Sequence, residues 1–148
     1  MNIKSLLSPD CVLFKHQCAS KKRLLETIAS HLCDHNTDLD PSNVFSALIA
    51  RERLGSTGLG MGIAIPHCRI ADCTQTIGVL VSLATPIDFN ALDSEPVDII
   101  FVLVVPEDGH KDHLQTLATI AETFSDKDCL QRMRESKSAQ ELYDIVTG

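Results

Sequence analysis

RERLGSTGLGMGIAIPHCRI, Arg51–Ile70, decides how the rest of the chain is read. Four glycines, Gly55, Gly58, Gly60 and Gly62, stand just ahead of the short apolar run Ile63-Ala64-Ile65. Glycine is used where φ must be positive or where another group approaches the backbone closely. The apolar run has the length of a buried strand. Pro66 has no N–H for a ladder hydrogen bond and predicts the end of that strand. His67 is then expected at the mouth of a strand, beside a glycine-rich loop. Imidazole is neutral and nucleophilic near pH 7, because its ordinary pKa is about 6.5.

Outward from this stretch the chain alternates between strand and helix patterns. Upstream, Ile3, Leu6 and Leu7 predict a short turn ending near Pro9, and Cys11–Phe14 a short strand. Leu24, Leu25, Ile28, Ala29 and Leu32 recur with helical period after Ser20, which can cap the helix. Asp40-Pro41 reads as N-cap and first residue of a second helix, closed near Gly55, with Arg51 in its last turn. Downstream, Arg69–Gln75 is expected to turn. Ile77–Leu83 reads as a strand buried on both faces and broken by Thr85-Pro86. Asp88–Glu95 is a polar connection anchored by Phe89 and Leu92, and Val97–Val105 a central strand ended by Pro106. Asp112 can cap a helix from His113 with the stripe Leu114, Leu117, Ala118, Ala121 and Phe124. A shorter helix is expected over Asp126–Arg134, and a last one behind Ser138 with Glu141 at the capping-box position. This interleaving predicts α/β layering with helices on both faces of a sheet. The 148 residues are read as one domain.

The same residues resemble a known family. RExxGSTG followed by GxGxAIPH is similar to the IIA components of the bacterial phosphotransferase system, in the fructose/mannitol superfamily, and most similar to the nitrogen-regulatory, PtsN-like branch. TPIDFNALDSEPVDIIFVLVVP (Thr85–Pro106) and HLQTLATIAETFSD (His113–Asp126) match that branch in order and spacing. The resemblance runs from about Ser20 to the end. It implies a small mixed sheet sandwiched by helices, and a phosphoryl group accepted on His67 from an HPr-like carrier protein, NPr in this branch. It also implies His113 beside the acceptor and Arg51 on the phosphate. Ser56 and Thr57 are further candidates for phosphate contact, although such residues more often hold a turn. His110 falls outside the motif and is read as a loop residue. Cys68 departs from the glycine or other small residue that commonly follows the motif histidine. It fits by size and adds an expected sensitivity to oxidation.

Composition narrows the alternatives. The net charge of −7 argues against general nucleic-acid binding, which needs a basic patch. MNIKSLLSPD lacks the apolar core of a signal peptide, and no apolar run approaches a membrane span of ~20 residues. The expectation is therefore a cytoplasmic protein whose six cysteines are free thiols. His31, Cys33 and His35 have the residue types of metal ligands, but on a helix Cys33 points away from the two histidines. No metal and no cofactor is expected. Adjacent residues on an extended chain point apart, which disfavours a Cys68–His67 hydrolase. Three other functions remain open: a sugar-transport IIA component passing phosphate to a IIB domain, a binding module that only docks, and a metal-dependent enzyme. The absence of a fused IIB or IIC segment after Gly148 favours the regulatory branch over the first. Retention of Arg51, His67 and His113 argues against the second.

Overall fold

The computed structural model describes residues 3–108 and 110–148, and leaves the side chains of His110, Lys111, Asp112 and His113 undescribed. Six strands among the described residues form one mixed sheet in the order β1-β5-β6-β3-β2, with β4 also paired to β6. The strands are β1 Val12–His16, β2 Gly58–Gly60, β3 Ile63–Ala64, β4 His67–Ile70, β5 Ile77–Ile87 and β6 Val97–Pro106. β5 and β6 pair antiparallel at the centre, β1 runs parallel to β5, and β3 and β4 run parallel to β6. Val97, Ile99–Leu103 and Val104 are essentially inaccessible, as the unbroken apolar run requires of a central strand.

Helices flank this sheet: α1 Ile3–Leu6, α2 Lys21–Asp34, α3 Pro41–Leu54, α4 His110–Phe124, α5 Lys127–Glu135 and α6 Ala139–Thr147. Their starts follow local chemistry. Ser20 accepts from the Arg23 N–H, Asp40 from Ser42, and Ser138 from Glu141. Glu141 reaches back to the Lys137 N–H at 3.2 Å, one residue ahead of the expected capping box. Leu24, Leu25, Ile28, Ala29 and Leu32 bury the predicted face of α2. α2 packs on α3 and β5, α3 packs on β4, and α6 packs on α5 and β1.

Several expectations are corrected. Pro66 does follow the end of the first strand, since β3 stops at Ala64, but the chain resumes at once as β4 at His67. Proline loses a donor but keeps its carbonyl, and the Pro66 carbonyl accepts from the Leu103 N–H at 2.9 Å. Arg69 and Ile70 therefore lie in a strand rather than a turn. Thr85-Pro86 does not break β5; the two residues lie within a register shift between Ser82 and Ile87, where they are exposed. Leu92 is 84% exposed, and Ala91 rather than Leu92 joins Phe89 in the core. α4 begins at His110, so His110 is helical rather than in a loop. Phe124 is buried and Leu117 and Ala121 pack against the core as expected, but Leu114 and Ala118 are exposed, and Thr116 and Ile120 complete the buried face of α4. The capping role expected of Asp112 lies outside the described side chains.

Candidate functional site

His67 opens β4, opposite Leu103 of β6. Its ring is held from two sides. Nδ1 lies 2.9 Å from the carbonyl oxygen of Ile65, and Nε2 lies 3.2 Å from Nε of Arg51. A carbonyl only accepts and a guanidinium only donates. Nδ1 therefore carries the hydrogen, and Nε2 directs a lone pair at Arg51. The sequence left the ring nitrogens equivalent; the fold distinguishes them. Burial lowers the His67 pKa below the ordinary histidine value. The Ile65 carbonyl opposes that shift, and the charge of Arg51 adds to it.

Arg51 comes from the last turn of α3, and its Nη1 donates to the Gly55 carbonyl at 2.9 Å. Gly55 ends the helix, so the residue that terminates α3 also steers its arginine. The next residue, Glu52, points to the other side. Its side chain is 5% exposed and pairs with Lys21 Nζ at 2.6 Å. It also accepts from the Thr57 N–H at 3.3 Å and from the Thr57 hydroxyl. Sequence reasoning missed Glu52, since a charge in a helix end reads as solvated. The repeated use of a buried Lys–Glu pair is visible only once α2 is laid against α3.

The Ser56 hydroxyl donates to the Phe89 carbonyl at 2.6 Å and accepts from the Gly58 N–H at 3.0 Å. Ser56 and Thr57 thus spend their hydroxyl hydrogens inside the fold, shaping the chain between α3 and β2. The glycine stretch is also less of an open loop than expected. Gly58 and Gly60 lie in β2, and the Met61 N–H donates to Asp93 at 3.1 Å. Of the predicted residues, the structure brings Arg51 and His67 into contact. His113 falls in the first turn of α4, and its side chain lies outside the described residues.

Arg69 projects from β4 two residues after His67 and is exposed, and its charge further disfavours protonation of the ring. Cys68, between them, is buried, and burial pushes its thiol up to about 12. Thiolate is the reactive form of cysteine. Cys68 is therefore a packing residue, and the expected sensitivity to oxidation is not supported. All six cysteines are free thiols. His31 Nε2 donates to the Asp10 carbonyl at 2.7 Å, and His35 Nδ1 to the His31 carbonyl at 3.1 Å. Among the described residues no three histidine, cysteine or carboxylate groups converge on a metal-sized site. Nor is any helix among them long and apolar enough to cross a membrane.

Comparison with known proteins places this geometry. Residues 5–148 match the family model for the phosphoenolpyruvate-dependent sugar phosphotransferase system, EIIA 2. The nitrogen regulatory protein of Escherichia coli (strain K12) is 45% identical over 148 residues, which cover 99% of this chain and 90% of that protein. The crystal structure of nitrogen regulatory protein IIA-Ntr from Neisseria meningitidis superposes with a TM-score of 0.92 at 38% identity, over 98% of this chain and 99% of that one. IIA mannitol from Escherichia coli shares the fold, with a TM-score of 0.78 at 18% identity over 94% of this chain and 97% of that one. The chain belongs to the EIIA type-2 family of the phosphotransferase system, and its nitrogen regulatory relatives resemble it along nearly its whole length.

Proposed function

We propose that this chain is a single-domain phosphocarrier that accepts a phosphoryl group on Nε2 of His67 and acts mainly as a phosphorylation-dependent regulator. The observation that carries the reading is the bracketing of one imidazole between the Ile65 carbonyl and Arg51. Membership of a phosphoryl-transferring family supports the chemistry, and 45% identity to a nitrogen regulatory protein supports the regulatory output. The donor is a phosphorylated HPr-like protein, NPr in this branch. The output is a regulated target protein or, in the sugar-transport alternative, a IIB domain. The protein would work in the cytoplasm.

The lone pair on Nε2 attacks phosphorus as the bond from phosphorus to the donor breaks, and that electron pair leaves with the donor. No base is needed, because Nε2 carries no hydrogen. The ring becomes positively charged while Nδ1 keeps its proton, and the Ile65 carbonyl stabilises that proton. Arg51 must yield Nε2 to phosphorus, and its planar fork then meets the phosphoryl oxygens. His113, in the first turn of α4, is assigned the supporting role toward the phosphoryl group that the family resemblance implies, at a helix start where N–H groups favour anions. The phosphoryl oxygens bring about −2 and the ring +1, so transfer adds a net charge of about −1 to a chain already at −7 and places a doubly charged anion on this face, enough to change what docks there.

Docking finds support in the apolar residues left exposed. Leu54 and Leu92 are each 84% exposed, and Leu59 and Met61 of the β2 region are about half so. Leu54 ends α3 one turn beyond Arg51. Intact-mass analysis after incubation with phosphoenolpyruvate, enzyme I and an HPr-like carrier tests the proposal. One acid-labile phosphoryl adduct, lost in His67→Ala and retained at reduced level in His113→Ala, is the expected result. No adduct on the folded protein from any cognate carrier would leave only a docking module.

A further inference from the structure

We propose that Glu52 is a positioning residue for His67, acting through Thr57 and Ile65 to hold the ring in its Nδ1–H form. The path is continuous. Both carboxylate oxygens of Glu52 engage Thr57, one at the hydroxyl and one at the N–H. The carbonyl of the same Thr57 accepts from the Ile65 N–H at 3.1 Å. The Ile65 carbonyl then accepts from Nδ1 of His67 at 2.9 Å. The Arg51-Glu52 pair therefore addresses both ring nitrogens. Arg51 reaches Nε2 directly, and Glu52 governs Nδ1 through two backbone links. Neighbouring residues on a helix diverge by about 100°, which lets one helix end serve both sides.

Lys21 supplies the counter-charge for Glu52 at this depth. Its ammonium group pairs with the carboxylate at 2.6 Å, lies 4.6 Å from the centre of the Phe89 ring and donates to the Phe89 carbonyl at 3.4 Å. That carbonyl also receives the Ser56 hydroxyl, so the network closes around the segment that carries Thr57. A buried carboxylate that touches no ligand is costly unless it shapes something. Here it fixes the carbonyl that selects the tautomer.

The effect on transfer rests on the reading of His67 as acceptor; the effect on the ring does not. The experiment therefore begins with the unphosphorylated protein. ¹⁵N spectra of the His67 ring are recorded for wild type, Glu52→Ala, Thr57→Val and Thr57→Ser, followed by the rate of phosphorylation by an HPr-like carrier. Wild type and Thr57→Ser are expected to hold one Nδ1–H tautomer. Glu52→Ala is expected to move the ring toward a tautomer mixture and to slow transfer by roughly tenfold or more. If Glu52→Ala does not fold, Thr57→Val carries the test, with a shift in the same direction. A folded Glu52→Ala, or in its absence Thr57→Val, with the wild-type tautomer would overturn the proposal. A shifted tautomer in a protein whose wild type takes no phosphoryl group would uphold the positioning role and overturn the phosphocarrier reading instead.

Discussion

His67 is partly withdrawn from water, and burial disfavours its charged form; the adjacent Arg51 guanidinium acts in the same direction. The consequence is a nucleophile that stays neutral below the ordinary histidine midpoint of about 6.5. Phosphorylation should therefore be flat with pH through neutrality and fall only on the acid side, with a midpoint below that value. Arg51→Ala removes one of the lowering influences. Its ring should titrate at higher pH than wild type, as followed by NMR, and Arg51→Lys should restore the charge but not the planar fork. The sign for stability follows from the same shift. Between the folded and unfolded pKa values the unfolded chain binds more protons, so His67 contributes stability above about pH 6.5 that is lost as the pH falls through its folded value. Met61 offers a separate test at this scale. It adopts φ +59° with its side chain 42% exposed. Left-handed backbone costs an ordinary residue about 1–2 kcal/mol, and asparagine tolerates it better. Met61→Asn should raise the thermal midpoint by roughly 2–4 °C.

At the scale of elements, β2 and its flanking turns are held against neighbours by contacts that leave no room for a Cβ. A Cβ on Gly58 would stand 2.8 Å from the Ala91 Cβ and 2.9 Å from its Cα, so the whole 88–95 segment would have to move. A Cβ on Gly62, at φ +81°, would stand 2.4 Å from Nη2 of Arg134 and 2.7 Å from Oδ1 of Asp98. Those two side chains form a two-pronged ion pair that also clamps the Met61 carbonyl. Gly62→Ala should destabilise by about 1–3 kcal/mol in denaturant unfolding, more than Arg134→Lys, because strained backbone and clash combine. Much of this level was legible in the sequence. Ser20, Asp40 and Ser138 announced their helices because capping is a local bond between near neighbours. β4 was not legible, because a proline in a four-residue motif signals a missing donor and says nothing about the acceptor that Leu103 uses. The exposure of Leu92 and Leu114 was equally hidden, since apolar identity and burial part company where another protein is expected to dock. Arg51 and His67 were readable from their motif, whereas Glu52 became visible only through Lys21, thirty-one positions away in the chain.

Across the whole molecule, the proposed acceptor stands at one parallel seam of the sheet. β6, the most buried strand, sets the register of β3 and β4 and so places His67 beside Leu103. α3 then delivers Arg51 to the ring, and α2 supplies Lys21 to the loop behind it. In the proposed function the output is a change of charge at His67, and the exposed apolar residues Leu54 and Leu92 are proposed to give a partner its grip. Leu54→Asp and Leu92→Asp should weaken capture by the phosphorylated carrier, seen as a higher KM, while leaving kcat and the His67 titration near wild type. A fall in kcat with unchanged KM would place those residues elsewhere in the mechanism.

The most direct measurement is the ³¹P–¹⁵N correlation spectrum of the phosphorylated, ¹⁵N-labelled protein. One phosphoryl group coupled to Nε2 of His67, with Nδ1 free of phosphorus, is expected. Coupling to Nδ1, or to a nitrogen of any other residue, would contradict it.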